Sequence, residues 1–127
     1  MKRLIAVMLS IAGVIHLLPL AGVMGADKLS SLYGLRFDDP NLVILMRHRA
    51  VLFGLLGALL LWSAWQPLLQ PSALVAGLIS VLSFLWLAAS AQDYNAAIAG
   101  IIAADCVALA CLLTACLAHG LKLRAVT

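Results

Sequence analysis

The sequence predicts an all-α protein, a bundle of four transmembrane helices with a short interfacial helix between the first and the second. Hydrophobic residues make up 65% of the 127 residues and charged residues only 10%, with a mean hydropathy of +1.14. No charged residue occurs from Ala50 to Gln92. A water-soluble domain of this size leaves too much of its surface in water to hide so many apolar side chains. Lipid is therefore the expected solvent for most of the chain.

Four apolar segments are long enough to span a bilayer, at about residues 4–24, 40–65, 72–92 and 96–118. Each spanning helix needs roughly 20 residues, so we expect one membrane domain over residues 1–127. Pro19 predicts a kink in the first helix, because proline removes a backbone donor and crowds the preceding turn. Asp39 followed by Pro40 predicts the start of the second helix, with a capping carboxylate and a proline in the first turn.

The N-terminal residues also resemble the beginning of a secretory signal peptide, since Lys2 and Arg3 precede an apolar stretch. That stretch continues through His16 to Met24, which is long enough to cross the membrane. We therefore expect a first transmembrane helix here rather than a cleaved leader.

The longest polar connection, residues 25–39, carries the pattern of a short amphipathic helix. Asp27 is suited to cap this helix, and Leu29, Leu32 and Tyr33 share one of its faces. Gly34 suits its C-terminal end. Such a helix is expected to lie flat in the membrane interface.

Small residues repeat every four positions in two predicted helices: Ala50, Gly54 and Ala58 in the second, and Gly100, Ala104 and Ala108 in the fourth. Small side chains at this spacing let helix backbones approach each other within a membrane. The pattern therefore predicts two closely packed helix interfaces.

Basic residues lie near both ends of the chain, at Lys2, Arg3, Lys122 and Arg124. Because cytoplasmic segments of membrane proteins are enriched in Lys and Arg, we expect both termini in the cytoplasm, which an even number of spans also requires. Residues 119–127 are then a basic cytoplasmic tail, and the connection between the first two spans lies outside.

Ionisable side chains interrupt three of the predicted spans, and they form the candidate ligand-binding or polar cluster. They are His16, Arg47, His48, Arg49 and Asp105. Counted from the predicted outer helix ends, all five lie roughly 11 to 14 Å deep. Charges in the hydrocarbon region are costly, so such residues pair with one another or mark a functional site.

Arg47 and Arg49 cannot both face the bundle interior, because two residues turn a helix by about 200°. Arg47 shares a face with Gly54, so we expect it to point inward and to pair with Asp105. His16 is expected to join them by hydrogen bonding. Arg49 is expected to point toward lipid headgroups or a neighbouring helix. The alternatives are a purely structural ion pair at Asp105, a helix–helix hydrogen bond at His16, and snorkelling of Arg49 to phosphate.

The sequence excludes several classes of function. The motifs GxSxG, HExxH, GxxxxGK[ST] and GxGxxG are absent. Cys106, Cys111 and Cys116 lie five residues apart, or about 140° around a helix, which cannot gather them around one metal. The net charge of +3 is not arranged as a basic stripe with aromatic residues, so nucleic acid is not an expected partner. The sequence identifies neither a metal nor a cofactor.

Three short motifs resemble a family pattern: Tyr33-Gly34, Asp39-Pro40-Asn41, and Arg47-His48-Arg49-Ala50 running into Leu52-Phe53-Gly54. With its hydropathy, the chain resembles small DoxX-like four-helix proteins of the bacterial inner membrane, including short membrane proteins often catalogued as phosphopantetheine adenylyltransferase. The resemblance implies a partner subunit in a quinone-linked or redox membrane complex, or the binding of a hydrophobic molecule. The histidine-bearing nucleotide motifs of the soluble adenylyltransferase, Gly-x-x-x-x-Gly-His and TxGH, are absent, so no adenylylation residue is carried over.

These observations favour a non-enzymatic inner-membrane protein that binds a hydrophobic small molecule, a lipid or a quinone, or that serves as an accessory subunit of a membrane complex. Homo-oligomerisation is compatible with either role. One alternative is a membrane-embedded enzyme in which Asp105 and His16 perform acid–base chemistry on a lipid-like substrate. A further alternative is a proton or ion pathway, since ionisable residues inside membranes often mark relays.

Overall fold

The computed structural model describes residues 1–91 and 93–125, and within these ranges the chain is helical apart from short connections. The five α-helices are α1 (Lys2–Leu17), α2 (Ala26–Tyr33), α3 (Pro40–Ser63), α4 (Gln70–Ser90) and α5 (Ala96–Arg124). Two 3₁₀ segments, Leu18–Met24 and Pro67–Leu69, extend α1 and precede α4. The all-α prediction is confirmed, with a short helix between the first two long ones.

Four helical segments are long and apolar enough to cross a membrane: Lys2–Met24, Pro40–Ser63, Pro67–Ser90 and Ala96–Arg124. Their most apolar windows have mean hydropathies from 1.7 to 2.4. The prediction of an integral membrane protein with four spans is thereby supported by both the sequence and the lengths of the helices. Such segments require a lipid bilayer as their surroundings.

The first span changes its helix type where a kink was predicted. The α-helix ends at Leu17, and a 3₁₀ helix runs from Leu18 to Met24 with Pro19 in its first turn. Proline cannot donate the backbone hydrogen bond that an α-helix needs at this position, and its ring crowds the carbonyl one turn earlier. The span continues from Leu18 to Met24 as a 3₁₀ helix, without that α-helical hydrogen bond.

Among the described residues, the ends of the predicted spans lie within two residues of the observed helix ends except at the C-terminus. The Asp39 side chain accepts a 2.8 Å hydrogen bond from the Asn41 backbone N–H, so the predicted cap of α3 is confirmed. Helix α5 continues to Arg124, so the prediction that the basic tail begins at residue 119 is wrong. Lys122 and Arg124 lie in its last turn, where cations interact favourably with the helix dipole. The predicted end of the third span at Gln92 and the last two residues of the tail lie outside the described residues.

Helix α2 has the predicted apolar face but a different cap. Gly25 is the N-cap and Asp27 lies in the first turn without capping the helix, so the predicted capping role of Asp27 is wrong. Gly34 ends the helix in the left-handed conformation, with φ 64°, as predicted. Leu29 and Tyr33 are buried and form a small apolar cluster with Phe37. Through this cluster α2 packs against the neighbouring long helices.

The four long helices close into a ring. Helix α1 packs against α3 and α5, and α4 packs against the same two helices from the other side. The main core fills the middle of this ring with fully buried aliphatic side chains, among them Leu9, Leu60, Val81 and Leu112. We call the end of the bundle that carries α2 the α2 end, and the opposite end, where Lys2, Arg3 and Lys122 lie, the basic end.

The two predicted small-residue interfaces differ in outcome. On α3, Ala50 and Gly54 are buried, and a Cβ added at Gly54 would lie 2.7 Å from a methyl group of Leu20, so this part of the helix packs closely. On α5, Ala108 is buried, but a Cβ added at Gly100 would meet no atom within 4 Å. The fourth predicted span is therefore closely packed toward the basic end and open at Gly100.

Candidate functional site

A small cavity lies between the helices toward the α2 end of the bundle. Its volume is about 30 Å³, and its walls come from all five α-helices and from the 3₁₀ segment after α1. The lining residues are Ile15, His16, Pro19, Tyr33, Arg49, Phe53, Phe84, Ile101 and Asp105. The structure thus brings together His16, Arg49 and Asp105, three of the five predicted site residues, from three different spans.

Arg49 reaches the cavity from α3. One of its guanidinium nitrogens donates a 3.0 Å hydrogen bond to the Tyr33 hydroxyl of α2. Its central carbon lies 4.7 Å from the ring centroid of Phe53 and 5.6 Å from that of Tyr33. Aromatic faces stabilise a cation that has lost much of its water, so these contacts lower the cost of holding Arg49 inside the bundle.

His16 is only 2% exposed, and its hydrogen bonding fixes its tautomer. Its Nδ1 lies 2.8 Å from the Ala12 carbonyl oxygen, one helical turn earlier in α1. A carbonyl oxygen only accepts hydrogen bonds, so Nδ1 carries the proton and donates it. In the neutral ring, Nε2 then carries no proton and can accept a hydrogen bond. The His16 side chain lines the cavity. The ring also lies 6.0 Å from that of Phe53.

Asp105 lines the cavity from α5 and is partly exposed. Two basic residues, His16 and Arg49, line the same cavity. Within residues 1–91 and 93–125, no salt bridge closer than 4.0 Å joins Asp105 to either of them. The carboxylate therefore faces the two basic groups across the cavity, and its oxygens are available to a group that enters between them.

The predicted inward orientation of Arg47 and its pairing with Asp105 are wrong. Arg47 does not pair with Asp105 and is not among the residues that line the cavity. Its side chain is exposed, and its Nε donates a 2.8 Å hydrogen bond to the Val23 carbonyl at the end of the first span. Arg49, which was expected to point toward lipid headgroups or a neighbouring helix, contacts the neighbouring helix α2 and also lines the cavity. His48 is exposed and also lies outside the cavity lining.

The first span packs on the face of α3 that Arg47 shares with Gly54. At Gly54 this face lies against Leu20. Arg47, two turns earlier, extends toward the end of the first span, where helix carbonyls lack a partner in their own helix. Arg49 lies about 200° further around α3. On that side Phe53, one turn later, also borders the cavity.

Two apolar grooves adjoin the cavity and share wall residues with it. The first has a volume of about 160 Å³, lies between α3 and α4, and shares Arg49 and Phe53 with the cavity. The second has a volume of about 220 Å³ and lies between the first span, α2 and α5. It shares Pro19, Tyr33 and Ile101 with the cavity, and the open side of Gly100 forms part of its wall. An apolar molecule in either groove would have the polar groups of the cavity at one end.

Tyr33 and Phe53 are site residues that the sequence analysis did not assign. Both were noted, Tyr33 on the apolar face of the short helix and Phe53 within a motif. The available signal was the Tyr33 hydroxyl, because a buried tyrosine oxygen needs a hydrogen-bonding partner. Four-residue spacing from Arg49 was the corresponding signal for Phe53, since such residues share a helix face.

The cavity offers both hydrogen-bond donors and acceptors. Arg49 supplies N–H donors, and the Tyr33 hydroxyl, which accepts from Arg49, keeps its own proton to donate. His16 Nε2 and the Asp105 carboxylate supply acceptors. This combination suits a carbonyl or hydroxyl group. Among the residues that the structure describes, no cluster of three or more His, Cys, Asp or Glu side chains could hold a metal ion.

Comparison with known proteins gives no relative. No protein-family model, no curated protein and no solved structure matches this chain. The function must therefore be argued from the geometry described above.

Proposed function

We propose that this protein binds the polar head of a lipid-soluble molecule, a quinone or a lipid with a carbonyl or hydroxyl group, in the cavity between His16, Arg49 and Asp105. The observation that carries the proposal is the convergence of these side chains on one cavity that shares wall residues with two apolar grooves. Ionisable residues are expensive inside a membrane and face functional cavities there. Apolar walls with a few convergent polar groups are typical of ligand sites.

The sizes of the cavity and the grooves determine how such a ligand would bind. The cavity, at about 30 Å³, holds no more than a group the size of one water molecule. Only a polar oxygen of the ligand would enter it. The apolar body would lie in one of the grooves, of about 160 and 220 Å³, in contact with the surrounding lipid. An acyl chain or an isoprenoid tail would then extend into the bilayer.

A membrane-embedded enzyme is the second candidate, and the tautomer of His16 favours it. Because Nδ1 donates to Ala12, the Nε2 atom is the one that would exchange a proton with a ligand. Asp105 faces the same cavity and could accept or return that proton. A proton pathway has less support, since buried Leu9, Leu60 and Leu112 fill the core toward the basic end.

The proposal also covers the membrane in which the protein resides, its orientation and its possible partner subunits. We place the protein in a bacterial inner membrane with both termini in the cytoplasm, on the basis of the cations at the basic end. Membership of the DoxX-like group, a role as accessory subunit and homo-oligomerisation are compatible with this placement. Many large apolar side chains are exposed along the spans, including Leu55, Ile79 and Leu117, and these would face lipid or a neighbouring subunit.

A matched pair of glycine variants tests the proposal. Gly100 and Gly120 both lie on α5, and a Cβ added at either would meet no atom within 4 Å, so a side chain at either position begins in open space. Gly100→Phe fills the groove beside Tyr33, whereas Gly120→Phe lies near the other end of the helix. Binding of a short-chain ubiquinone and retention of co-extracted lipids would be measured by native mass spectrometry in detergent.

We expect Gly100→Phe to weaken binding by about tenfold or more, and Gly120→Phe to leave it within about twofold of the wild type. Arg49→Gln should weaken binding as well, because it removes the cationic donor. If the wild-type protein retains no such molecule, or if all three variants bind as well as the wild type, the proposal is wrong.

A further inference from the structure

A second groove, at the basic end of the bundle, is distinct from the cavity described above. It has a volume of about 330 Å³ and lies between the first turns of α1, the α3–α4 connection and the last turns of α5. Lys2, Arg3 and Lys122 line it, over an apolar floor that includes Ile5 and Ala64. Every ionisable side chain in its wall is a cation.

The charges of the whole chain are segregated along the bundle. The chain has five acidic residues, Asp27, Asp38, Asp39, Asp93 and Asp105. Asp27 lies in α2, Asp38, Asp39 and Asp93 lie in connections at the same end, and Asp105 is the tenth residue of α5. No Asp or Glu is therefore close in sequence to the basic groove. Among the described residues, no carboxylate side chain lines the groove, so its positive potential attracts an anion.

The cations of the groove are free to bind a ligand. Across the described part of the chain, Lys2, Arg3 and Lys122 form no hydrogen bond or salt bridge with another side chain. Lys2 and Arg3 are exposed and Lys122 is partly exposed, so all three ammonium or guanidinium groups can reach a molecule in the groove. Arginine and lysine together are the usual partners of phosphate oxygens.

A polar network holds the base of the groove in place. Gln70, which lines the groove and is only 4% exposed, donates from Nε2 to the Ser63 carbonyl oxygen over 3.2 Å. Its Oε1 lies 3.2 Å from His119 Nδ1, and since an amide oxygen only accepts, His119 is the donor. Gln70 thereby connects the end of α3 to α5. These hydrogen bonds hold Gln70 in the wall of the groove.

The level of the groove in the membrane follows from the side chains around it. Trp65, which lines the groove, is 69% exposed, and Trp62 one turn earlier is 64% exposed. Exposed tryptophans concentrate where hydrocarbon meets the headgroups. Leu68 in the same connection is 89% exposed and is available to the acyl region. The groove therefore offers an apolar surface to acyl chains and cations to the headgroup.

We propose that the basic groove binds an anionic glycerophospholipid, with the phosphate between Arg3 and Lys122 and the acyl chains against its apolar floor. Three cations with no carboxylate side chain among the described lining residues, an apolar floor and an exposed tryptophan together match the chemistry of such a lipid. A soluble phosphate would use the cations but leave the apolar floor unoccupied. A zwitterionic phospholipid would bring its own cation into an already positive groove.

Two double variants of equal charge change provide the test. Arg3→Gln with Lys122→Gln removes two cations of the basic groove, and Lys28→Gln with Arg36→Gln removes two exposed cations near the α2 end. Each pair replaces one arginine and one lysine. The full-length protein would be titrated with phosphatidylglycerol and with phosphatidylcholine in detergent, and bound lipid would be counted by native mass spectrometry, with and without excess inorganic phosphate.

The wild type should bind phosphatidylglycerol at least about fivefold more tightly than phosphatidylcholine. The groove variant should lose this preference, the α2-end variant should keep it, and inorganic phosphate should not displace the lipid. Equal binding of the two lipids by the wild type, an equal loss of preference in both variants, or displacement by inorganic phosphate would each overturn the proposal. Circular dichroism would check that both variants remain helical.

Discussion

Arg49 of α3 donates a 3.0 Å hydrogen bond to the Tyr33 hydroxyl of α2. This contact joins a spanning helix to the short helix that closes the α2 end of the bundle. Tyr33 is 6% exposed, so the hydrogen bond is largely shielded from solvent. The guanidinium is also stacked near Phe53. One arginine therefore holds the short helix in position and supplies a donor to the cavity.

Tyr33→Phe should destabilise the protein while preserving the packing of the ring. The variant removes the oxygen that accepts from Arg49, and a hydrogen bond to a charged group is worth about 1.5 to 3 kcal/mol. Because Arg49 keeps its contact with Phe53, we expect a loss near the lower end of that range. Chemical unfolding in detergent would measure it. Ser31→Ala, at an exposed position of the same helix, should be close to neutral, and an equal effect of both substitutions would argue against the hydrogen bond.

A double-mutant cycle can decide which arginine interacts with Asp105. Asp105→Asn combined with Arg49→Gln should show a coupling free energy of about 0.5 kcal/mol or more, because both side chains line one cavity. When Asp105→Asn is combined with Arg47→Gln, the changes in unfolding free energy should add within about 0.5 kcal/mol. Thermal or chemical unfolding of the single and double variants supplies the values. Stronger coupling to Arg47 than to Arg49 would contradict the structure.

Gly57→Ala should destabilise the contact between the first span and α3. An added Cβ would lie 2.9 Å from the Gly13 carbonyl oxygen and 2.8 Å from Leu17 Cγ, and the backbone atom cannot move aside easily. Overpacking of this kind costs about 1 to 3 kcal/mol. Gly100→Ala is the control, since its Cβ would meet no atom within 4 Å and alanine favours the helix by up to about 1 kcal/mol. Melting temperatures should therefore shift in opposite directions.

Gly34→Ala should lower stability for a different reason. Gly34 ends α2 with φ 64°, in the left-handed region, which costs an alanine about 1 to 2 kcal/mol. Its Cβ would also lie 3.1 Å from Nδ2 of Asn95, a group that donates to the Tyr33 carbonyl oxygen. Gly120→Ala, at a helical and open position, should not lower the melting temperature. A melting temperature of Gly34→Ala that matches the wild type would show that the helix can end differently.

The prediction of the spans succeeded because their signals are local. A run of apolar residues without charges, such as that from Ala50 onward, predicts a spanning helix from its own composition. The start of α3 followed from Asp39 and Pro40 alone, since a cap depends on neighbouring residues. The end of α2 at Gly34 followed for the same reason.

The arrangement around the cavity depends on how each helix is rotated about its axis. Every face of these helices is largely apolar, and both lipid and the bundle interior are apolar surroundings, so hydropathy does not indicate which face points inward. The sequence placed Arg47 and Arg49 on different faces but could not choose between them. It likewise could not show that Gly100 borders a groove while Gly54 contacts Leu20.

The sequence by itself determined the solvent of this protein, the number of its spans and the set of ionisable side chains within them, because these properties depend on composition and on the length of each segment. Only the tertiary structure decided that Arg49, with Tyr33, meets His16 and Asp105 at one cavity. That choice depends on the rotation of each helix about its axis, which is set by close contacts between helices such as that of Gly54 on α3 with Leu20 of the first span.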